Sequence, residues 1–447
     1  MQVEAWLQRA ACLAPTLTAL QTPEAQVSYA ELLHAARWGA AELTQRGVLP
    51  GERVAIALEP GIEFAQALHA CFLLGAVAVP IDLRLTASER ERTLAGASMI
   101  LEQPLHLPRA AKSGSDAFAS EALHDLDAVC AVIHTSGTTS TPRPVELTYG
   151  NFLWSALGSG VSLGVDPQER WLCALPLSHV GGLSILIRSA IYATTAVVHK
   201  RFHTDGVLRA LEEDRITLVS LVSTTLARLL DAGLSNPPQL RCALTGGGPV
   251  PAALVKRARA AGVPVIETYG LTECCSQAAT APLASVASTP REVGAGVSLF
   301  CTRTEIASDG EILLSGPTIS RSVTGADGRL HTGDLGSIDA DGFLHVSGRK
   351  ADTIVSGGEN VAPSEVEAVL EACPGVLEAA VVGREDPQWG EAVTAIVVTA
   401  AEASVEESLL LEYCSLRLAP FKVPKRVQLV TGPLPRTRSG KLLRREL

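Results

Sequence analysis

The sequence predicts an α/β protein: a large N-terminal domain of mainly parallel sheets layered with helices plus a β-rich subdomain, followed by a small α+β C-terminal domain. Three observations carry this. A chain of 447 residues, 47% of them hydrophobic, exceeds what one compact core takes up, so a large domain with a smaller companion is expected. Short apolar runs alternate with amphipathic stretches through most of the chain, the pattern of strands and helices in parallel layers. Beyond about residue 285 the pattern changes to short strands separated by Asp-Gly and Thr-Gly turns.

In chain order, 54–58 reads as a strand, 62–74 as an amphipathic helix and 76–79 as a second strand, together a βαβ unit. The apolar run 129–133 is a buried strand. Further apolar runs at 171–175, 196–198, 216–222 and 242–244 alternate with helical stretches at 183–192 and 252–261. Asp309-Gly310, Asp327-Gly328 and Asp341-Gly342 then punctuate the β-rich stretch. A helix opens at Pro363 and runs over 364–372, with strands at 379–382 and 393–398.

Composition excludes several classes. A net charge of −10 disfavours nucleic acid as a partner. The longest apolar stretch, 71–81, falls short of the roughly 18 residues that cross a bilayer, so no membrane span is expected. The N-terminus lacks a basic start, an apolar segment and a cleavage site, which predicts a cytoplasmic protein. Of ten cysteines only Cys274 and Cys275 adjoin, and no C-x-x-C or Cys/His cluster offers four metal ligands, so reduced scattered thiols are expected. The segment 417–447 holds nine Lys/Arg against one acid, a local charge of +8, and reads in part as a phosphate-handling surface.

Three separated phrases carry chemistry. His134-Thr135-Ser136-Gly137-Thr138-Thr139-Ser140-Thr141-Pro142-Arg143 follows a buried strand, which delivers backbone N–H groups and hydroxyls to one spot suited to phosphate oxygens. It is neither a Walker A sequence nor a dinucleotide fingerprint. Glu267-Thr268-Tyr269-Gly270-Leu271-Thr272-Glu273 follows another strand, and Ser439-Gly440-Lys441 lies near the C-terminus. Gly246-Gly247-Gly248 lets the backbone approach a planar ligand. Taken singly, each has a plain structural reading: a polar turn, a solvated Glu, a glycine turn, a frayed terminal lysine.

Together with Thr332-Gly333-Asp334 and Gly348-Arg349, these phrases occur in the order of, and resemble across essentially the whole chain, the adenylate-forming superfamily of acyl-CoA synthetases, peptide-synthetase adenylation domains and luciferases. The resemblance implies an AMP-forming acid-thiol ligase that takes ATP, Mg2+ and coenzyme A. It implies that Thr135, Ser136, Gly137, Thr138, Thr139 and Arg143 hold the β- and γ-phosphates, although Ser140 and Pro144 replace the family's glycines and Arg143 its lysine. Tyr269 and Gly270 would form the adenine platform with Gly246, Gly247 and Gly248. Thr272 would touch the α-phosphate and Glu273 hold Mg2+. Asp334 would bind the ribose hydroxyls, Arg349 the nucleotide, and Lys441 would bridge carboxylate and adenylate. Gly357 and Gly358 match the loop lining the pantetheine tunnel. The resemblance also places a domain boundary at Lys350 to Asp352, giving an ATP- and acyl-binding domain, 1–349, and a mobile C-terminal lid domain, 350–447, that carries Lys441.

The phrase from Leu175 to Ser189 is similar to that of the o-succinylbenzoate-CoA ligases of menaquinone biosynthesis. The resemblance makes His179 a catalytic and substrate residue and puts Arg188, Gly181 and Gln277 in the acyl pocket. Arg188 stands in an otherwise apolar helix, where a cation is costly unless paired, and an acid with a second carboxylate would pair it. A place on the solvent side of the helix, or a protein acid beside it, is the competing reading. The expected activity is conversion of 2-succinylbenzoate to its CoA thioester. Alternatives left open are another aryl or medium-chain acyl-CoA synthetase, and a nucleotide-binding regulatory homologue with weak chemistry because of Ser140 and Pro144. Homo-oligomerisation is left open as well.

Overall fold

The structure, a computed structural model, describes residues 1–106, 122–135, 143–283, 294–400, 405–436 and 442–447. They fall into two compact units: Met1–Gly247, Arg257–Arg303 and Leu314–Leu330 form one, and Gly248–Lys256, Thr304–Leu313 and His331–Leu447 the other.

Besides a short pair, Gln2–Glu4 with Leu123–Asp125, the first unit holds two larger sheets. In the smaller, strands Met99–Leu101, Arg53–Ile56, Val77–Pro80 and Val129–Thr135 lie parallel in that spatial order, and Arg143–Thr148 closes the edge antiparallel. The expected βαβ unit is present, its helix Ile62–Leu74 ending at Gly75 in the left-handed conformation, φ 78°, a geometry that glycine adopts without cost. In the larger, nine-stranded sheet, Val265–Tyr269, Cys242–Thr245, Leu218–Leu221, Arg170–Cys173, Thr195–Val198 and Thr18–Gln21 are parallel neighbours. Leu218–Leu221, Thr195–Val198 and Cys242–Thr245 are buried along their whole length, as strands covered on both faces must be. Their apolar content is what made them readable in the sequence.

Two helices matter for the site. Tyr149–Leu163 starts at Thr148, whose hydroxyl accepts from Asn151 N–H while the Asn151 side chain accepts from Thr148 N–H, a reciprocal cap. Val180–Tyr192 is buried on nearly every side and starts at His179.

Farther along, Arg303–Ile306, Glu311–Ser315, Leu330–Ile338 and Leu344–Arg349 form a four-stranded sheet, the β-rich stretch announced by its Asp-Gly turns. The C-terminal sheet has five strands, with Gly390–Thr399 flanked by Val376–Asp386, Ile354–Ser356 and Arg426–Val430. Helices Pro363–Glu371 and Glu407–Ser415 supply Val366, Leu370, Leu410 and Cys414 to its core. The strand expected at 379–382 runs from Val376 to Asp386 because its ladder with Gly390–Thr399 continues through charged residues such as Glu385 opposite Glu391. No helix among the described residues is long and apolar enough to cross a membrane.

Candidate active site

In the first unit the predicted site residues gather at the carboxyl ends of adjacent parallel strands. Thr245 pairs with Glu267, so Gly246 and the Tyr269-Gly270 pair leave the sheet side by side. A Cβ on Gly246 would lie 2.6 Å from the Thr268 carbonyl, which leaves room for glycine alone. Gly247 has φ +79°, and a Cβ on Gly248 would meet nothing within 4 Å. After Tyr269 the chain folds back on itself. Ser276 N–H donates to the Leu271 carbonyl at 3.1 Å and Ala278 N–H to that of Tyr269 at 2.8 Å. A Cβ on Gly270 would sit 1.5 Å from the Ser276 carbonyl oxygen.

Inside this fold-back, Thr272–Cys274 forms one 3-10 turn. The main-chain carbonyl of Glu273 accepts from Ser320 N–H at 2.8 Å, while nothing among the described residues bonds its half-buried carboxylate. Cys275 and Ser276 follow at φ 54° and 94°, left-handed values that non-glycine residues adopt only where neighbours hold them. Glu267, on the strand itself, has its carboxyl pushed up to about 8 by burial, with Arg259 pulling the other way. Thr135 pairs with Arg143 across the two strands bounding the phosphate-loop phrase, and the Thr135 hydroxyl donates to the Arg143 carbonyl at 3.4 Å. Arg143 is exposed. Ser136, Gly137, Thr138, Thr139 and Lys441 lie outside the described residues.

The acyl-pocket candidates lie on the helix Val180–Tyr192 and the fold-back. His179 is half-buried at the helix start, and its charge adds to the effect of the Arg84 side chain and backbone in outweighing burial and holding the Asp82 carboxyl low. A Cβ on Gly181 would meet Leu175 at 3.6 Å, an ordinary contact. Arg188 is 2% exposed. Its Nη2 donates to Ser155 Oγ at 2.9 Å, its guanidinium carbon stands 5.7 Å from the Trp171 ring centre, and its Nε has no partner among the described residues. Burial lowers its pKa, opposed by Tyr192 and Cys275. Neither competing reading of Arg188 holds among the described residues, since it is not on the solvent side and no carboxylate pairs with it. Gln277 is buried also, its Nε2 donating to Thr280 Oγ1 at 2.9 Å and its Oε1 unpartnered. Ser155 carries no motif and was invisible in the sequence, because only the packing of its helix brings it to Arg188.

In the second unit, Asp334 and Arg349 are directly opposite on antiparallel strands, and Arg349 Nε lies 2.7 Å from Asp334 Oδ1. Gly333, φ 69°, donates its N–H to Glu311 Oε1 at 2.9 Å, and Asp334 N–H donates to Thr332 Oγ1 at 3.0 Å. Gly357 and Gly358, both at positive φ, form the two-residue turn between the paired Ser356 and Glu359, and a Cβ on Gly357 would press on the Trp389 ring at 3.0 Å. Lys350 binds Asp309 at 2.6 Å and Glu311 at 3.2 Å, which raises its pKa. Asp352, two residues on, faces Arg444 at 3.4 Å.

In the basic C-terminal segment, whose Lys441 lies outside the described residues, four cations face acids. Lys422 pairs with Glu365, Arg426 with Asp386, Arg436 with Glu378, and Arg444 with Glu367 at 2.7 Å. These four acids come from elsewhere in the same unit, a pairing that a local charge count cannot reveal.

Residues 7–323 match the family described as AMP-binding enzyme, and residues 365–441 match the AMP-binding enzyme C-terminal domain. The chain belongs to the AMP-binding enzyme family. Among members of this family, 2-succinylbenzoate–CoA ligase of Bacillus subtilis (strain 168) is 38% identical over 475 aligned positions, which cover 99% of this chain and 97% of the relative. The solved structure of o-succinylbenzoate coenzyme A synthetase from Bacillus subtilis in complex with ATP and magnesium ion superposes with a TM-score of 0.89 at 37% identity, covering 100% of both chains. The crystal structure of ATP-bound MatB from Rhodopseudomonas palustris reaches a TM-score of 0.87 at 28% identity, over 99% of this chain and 98% of that one.

Proposed function

We propose that this AMP-binding enzyme is a 2-succinylbenzoate–CoA ligase. The observation that carries the acid assignment is Arg188, a buried guanidinium with one hydroxyl partner, an unpartnered Nε and no protein carboxylate among the described residues. A buried cation is stable when an anion arrives to pair it, and planar guanidinium suits a carboxylate. 2-Succinylbenzoate brings two carboxylates, one to react and one to be held. The similarity to 2-succinylbenzoate–CoA ligases over nearly the whole chain supports the same reading.

In the first half-reaction a carboxylate oxygen bonds to the α-phosphorus of ATP and pyrophosphate leaves; in the second, the CoA sulfur takes the acyl group and AMP leaves. The first step brings two anions together, so fixed donors and positive charge lower its barrier. Thr135, Ser136, Gly137, Thr138, Thr139 and Arg143 hold the outer phosphates, Thr272 the α-phosphate, and Lys441 sits between carboxylate and phosphate. Gly246, Gly247, Gly248, Tyr269 and Gly270 bound the adenine, and Asp334 with Arg349 takes the ribose. His179, Gly181, Arg188 and Gln277 receive the acid. The carboxylate of Glu273, unengaged among the described residues, fits Mg2+, a hard cation that needs few protein ligands and would there neutralise phosphate charge. Gly357 and Gly358 belong to the thiol-binding arrangement of a C-terminal lid, 350–447, pivoting at Lys350 to Asp352. Ten cysteines, none in a disulfide, suit the reducing cytoplasm.

The test is pyrophosphate release from Mg-ATP with 2-succinylbenzoate, benzoate, octanoate and amino acids, each with and without CoA. Release with 2-succinylbenzoate and formation of its thioester is expected. Release with only another acid would discard this substrate, and release with none would favour a regulatory homologue.

A further inference from the structure

Ser155, on the helix Tyr149–Leu163, is 1% exposed, and its hydroxyl joins two parts of the site. It accepts from Arg188 Nη2 at 2.9 Å and donates to the main-chain carbonyl of Cys275 at 2.6 Å. A hydroxyl has one proton and two lone pairs, so both bonds form at once. The partners serve different ends. Arg188 is the buried cation with its Nε edge still unpartnered. Cys275 lies two residues past Glu273, at the start of the left-handed pair Cys275-Ser276.

That pair stores strain, and strain persists only where several contacts oppose its release. Ser320 N–H holds the Glu273 carbonyl, Ser276 N–H and the Cys274 thiol bond the Leu271 carbonyl, and Ser155 holds Cys275. Among these, Ser155 is the contact that also touches the acid-binding cation. One small side chain therefore sets the orientation of the guanidinium and the position of the turn bearing Thr272 and Glu273.

We propose that Ser155 is a positioning residue: its hydroxyl holds the Arg188 fork so that the Nε edge takes the second carboxylate of the acid, and it fixes the Cys275 turn that presents Thr272 and Glu273 to the phosphates. This rests on the reading of 2-succinylbenzoate as the acid. Ser155 does not touch the reacting atoms. Its loss acts through Arg188 on acid affinity and through Cys275 on turnover, two effects that kinetics separate.

The experiment compares wild type with Ser155→Ala, Ser155→Cys and Ser155→Thr, using 2-succinylbenzoate and 3-benzoylpropionate, the same keto acid without the ring carboxylate, the latter as substrate or competitor. Ser155→Ala should raise KM for 2-succinylbenzoate about tenfold, the scale of a hydrogen bond to a charged group. The constant for 3-benzoylpropionate should change less than about twofold, kcat should fall, and Ser155→Thr, which keeps the hydroxyl, should recover most of both losses. Ser155→Cys keeps the side-chain shape with a weak acceptor and should repeat the alanine pattern if Ser155→Ala fails to fold. Equal shifts for the two acids, or an unchanged KM for 2-succinylbenzoate, would overturn the proposal. If wild type forms no thioester from 2-succinylbenzoate, the substrate reading has failed; Mg-ATP affinity without acid then decides, since weakening in Ser155→Ala upholds the turn contact and equal affinity overturns it.

Discussion

Asp334 and Arg349 occupy paired positions on neighbouring antiparallel strands, with the guanidinium Nε 2.7 Å from a carboxylate oxygen. Arg349 also donates from Nη1 to the Thr332 carbonyl at 3.3 Å, so the arginine ties together both ends of the Thr332-Gly333-Asp334 phrase. Asp334 is 5% exposed, and its acid is thereby held in one place with one oxygen already bonded. Arg349 thus aims Asp334, the carboxylate proposed for the ribose.

Removing the arginine leaves a buried carboxylate without its counter-charge. Arg349→Ala should raise KM for ATP about tenfold or more in pyrophosphate exchange, because breaking a buried pair costs more than forming it gains. Arg349→Lys should recover only part, since lysine keeps the charge and loses the planar fork. An ATP KM within twofold of wild type for Arg349→Ala would remove the arginine from this role.

Arg188→Ala should raise KM for 2-succinylbenzoate by about tenfold to a hundredfold, matching the roughly 1.5–3 kcal/mol of a charged hydrogen bond, and leave monocarboxylate binding nearly unchanged. Steady-state kinetics with the two acids used for Ser155 would read this directly. A common effect on both acids would mean that the guanidinium serves the helix packing and not the pocket.

Gly270→Ala places a methyl where the Ser276 carbonyl already stands, 1.5 Å away. Neither group is the end of a flexible side chain, so the fold-back carrying Thr272 and Glu273 must open. Adenylation should fall by about a hundredfold or more, the scale seen when a displacement of about 1 Å spoils reactant alignment. Full pyrophosphate exchange in a folded Gly270→Ala protein would show that the turn tolerates displacement.

What the sequence disclosed and what it hid divide along a physical line. The strands Leu218–Leu221 and Cys242–Thr245 were legible because burial on both faces demands an apolar run, and Gly270 because a fold-back that tight admits no side chain. Asp334 and Arg349 were readable as phrases, but their pairing depends on strand register. Ser155 was hidden altogether: a serine within a helix has no local signature, and its two partners lie 33 and 120 residues away. The ion pairs of the basic C-terminal segment were hidden for the same reason, since Glu365, Glu367, Glu378 and Asp386 reach it only through the folded domain.

Lys441→Ala should abolish pyrophosphate exchange and leave the reaction of preformed acyl-adenylate with CoA within a few-fold of wild type. The reason is electrostatic: a lysine between two anions stabilises the step in which they combine, and the second step no longer needs it there. Single-turnover assays of each half-reaction separate the two. Equal loss in both would show that the lysine holds the adenylate throughout.

Glu267 makes stability depend on pH. Burial raises its carboxyl from an ordinary 4.5 to about 8, despite Arg259, and burial with the neighbouring Glu367 takes Glu371 to about 7. Between pH 4.5 and these values the folded protein keeps protons that the unfolded chain gives up, so this contribution is full below about 4.5 and is lost as pH rises through 7 and 8. Two buried imidazoles oppose it at lower pH: His69, lowered to about 4, and His124, lowered to about 3, both by burial, stay neutral in the fold while the unfolded chain protonates below 6.5. Their contribution is lost as pH falls below 6.5, which leaves the carboxylates as the opposing slope above it. Thermal unfolding from pH 6.5 to 8.5 should therefore show a falling Tm in wild type and a shallower fall in Glu267→Gln, with the variant the more stable protein at pH 8.5. Parallel curves for the two proteins would place the proton on some other group.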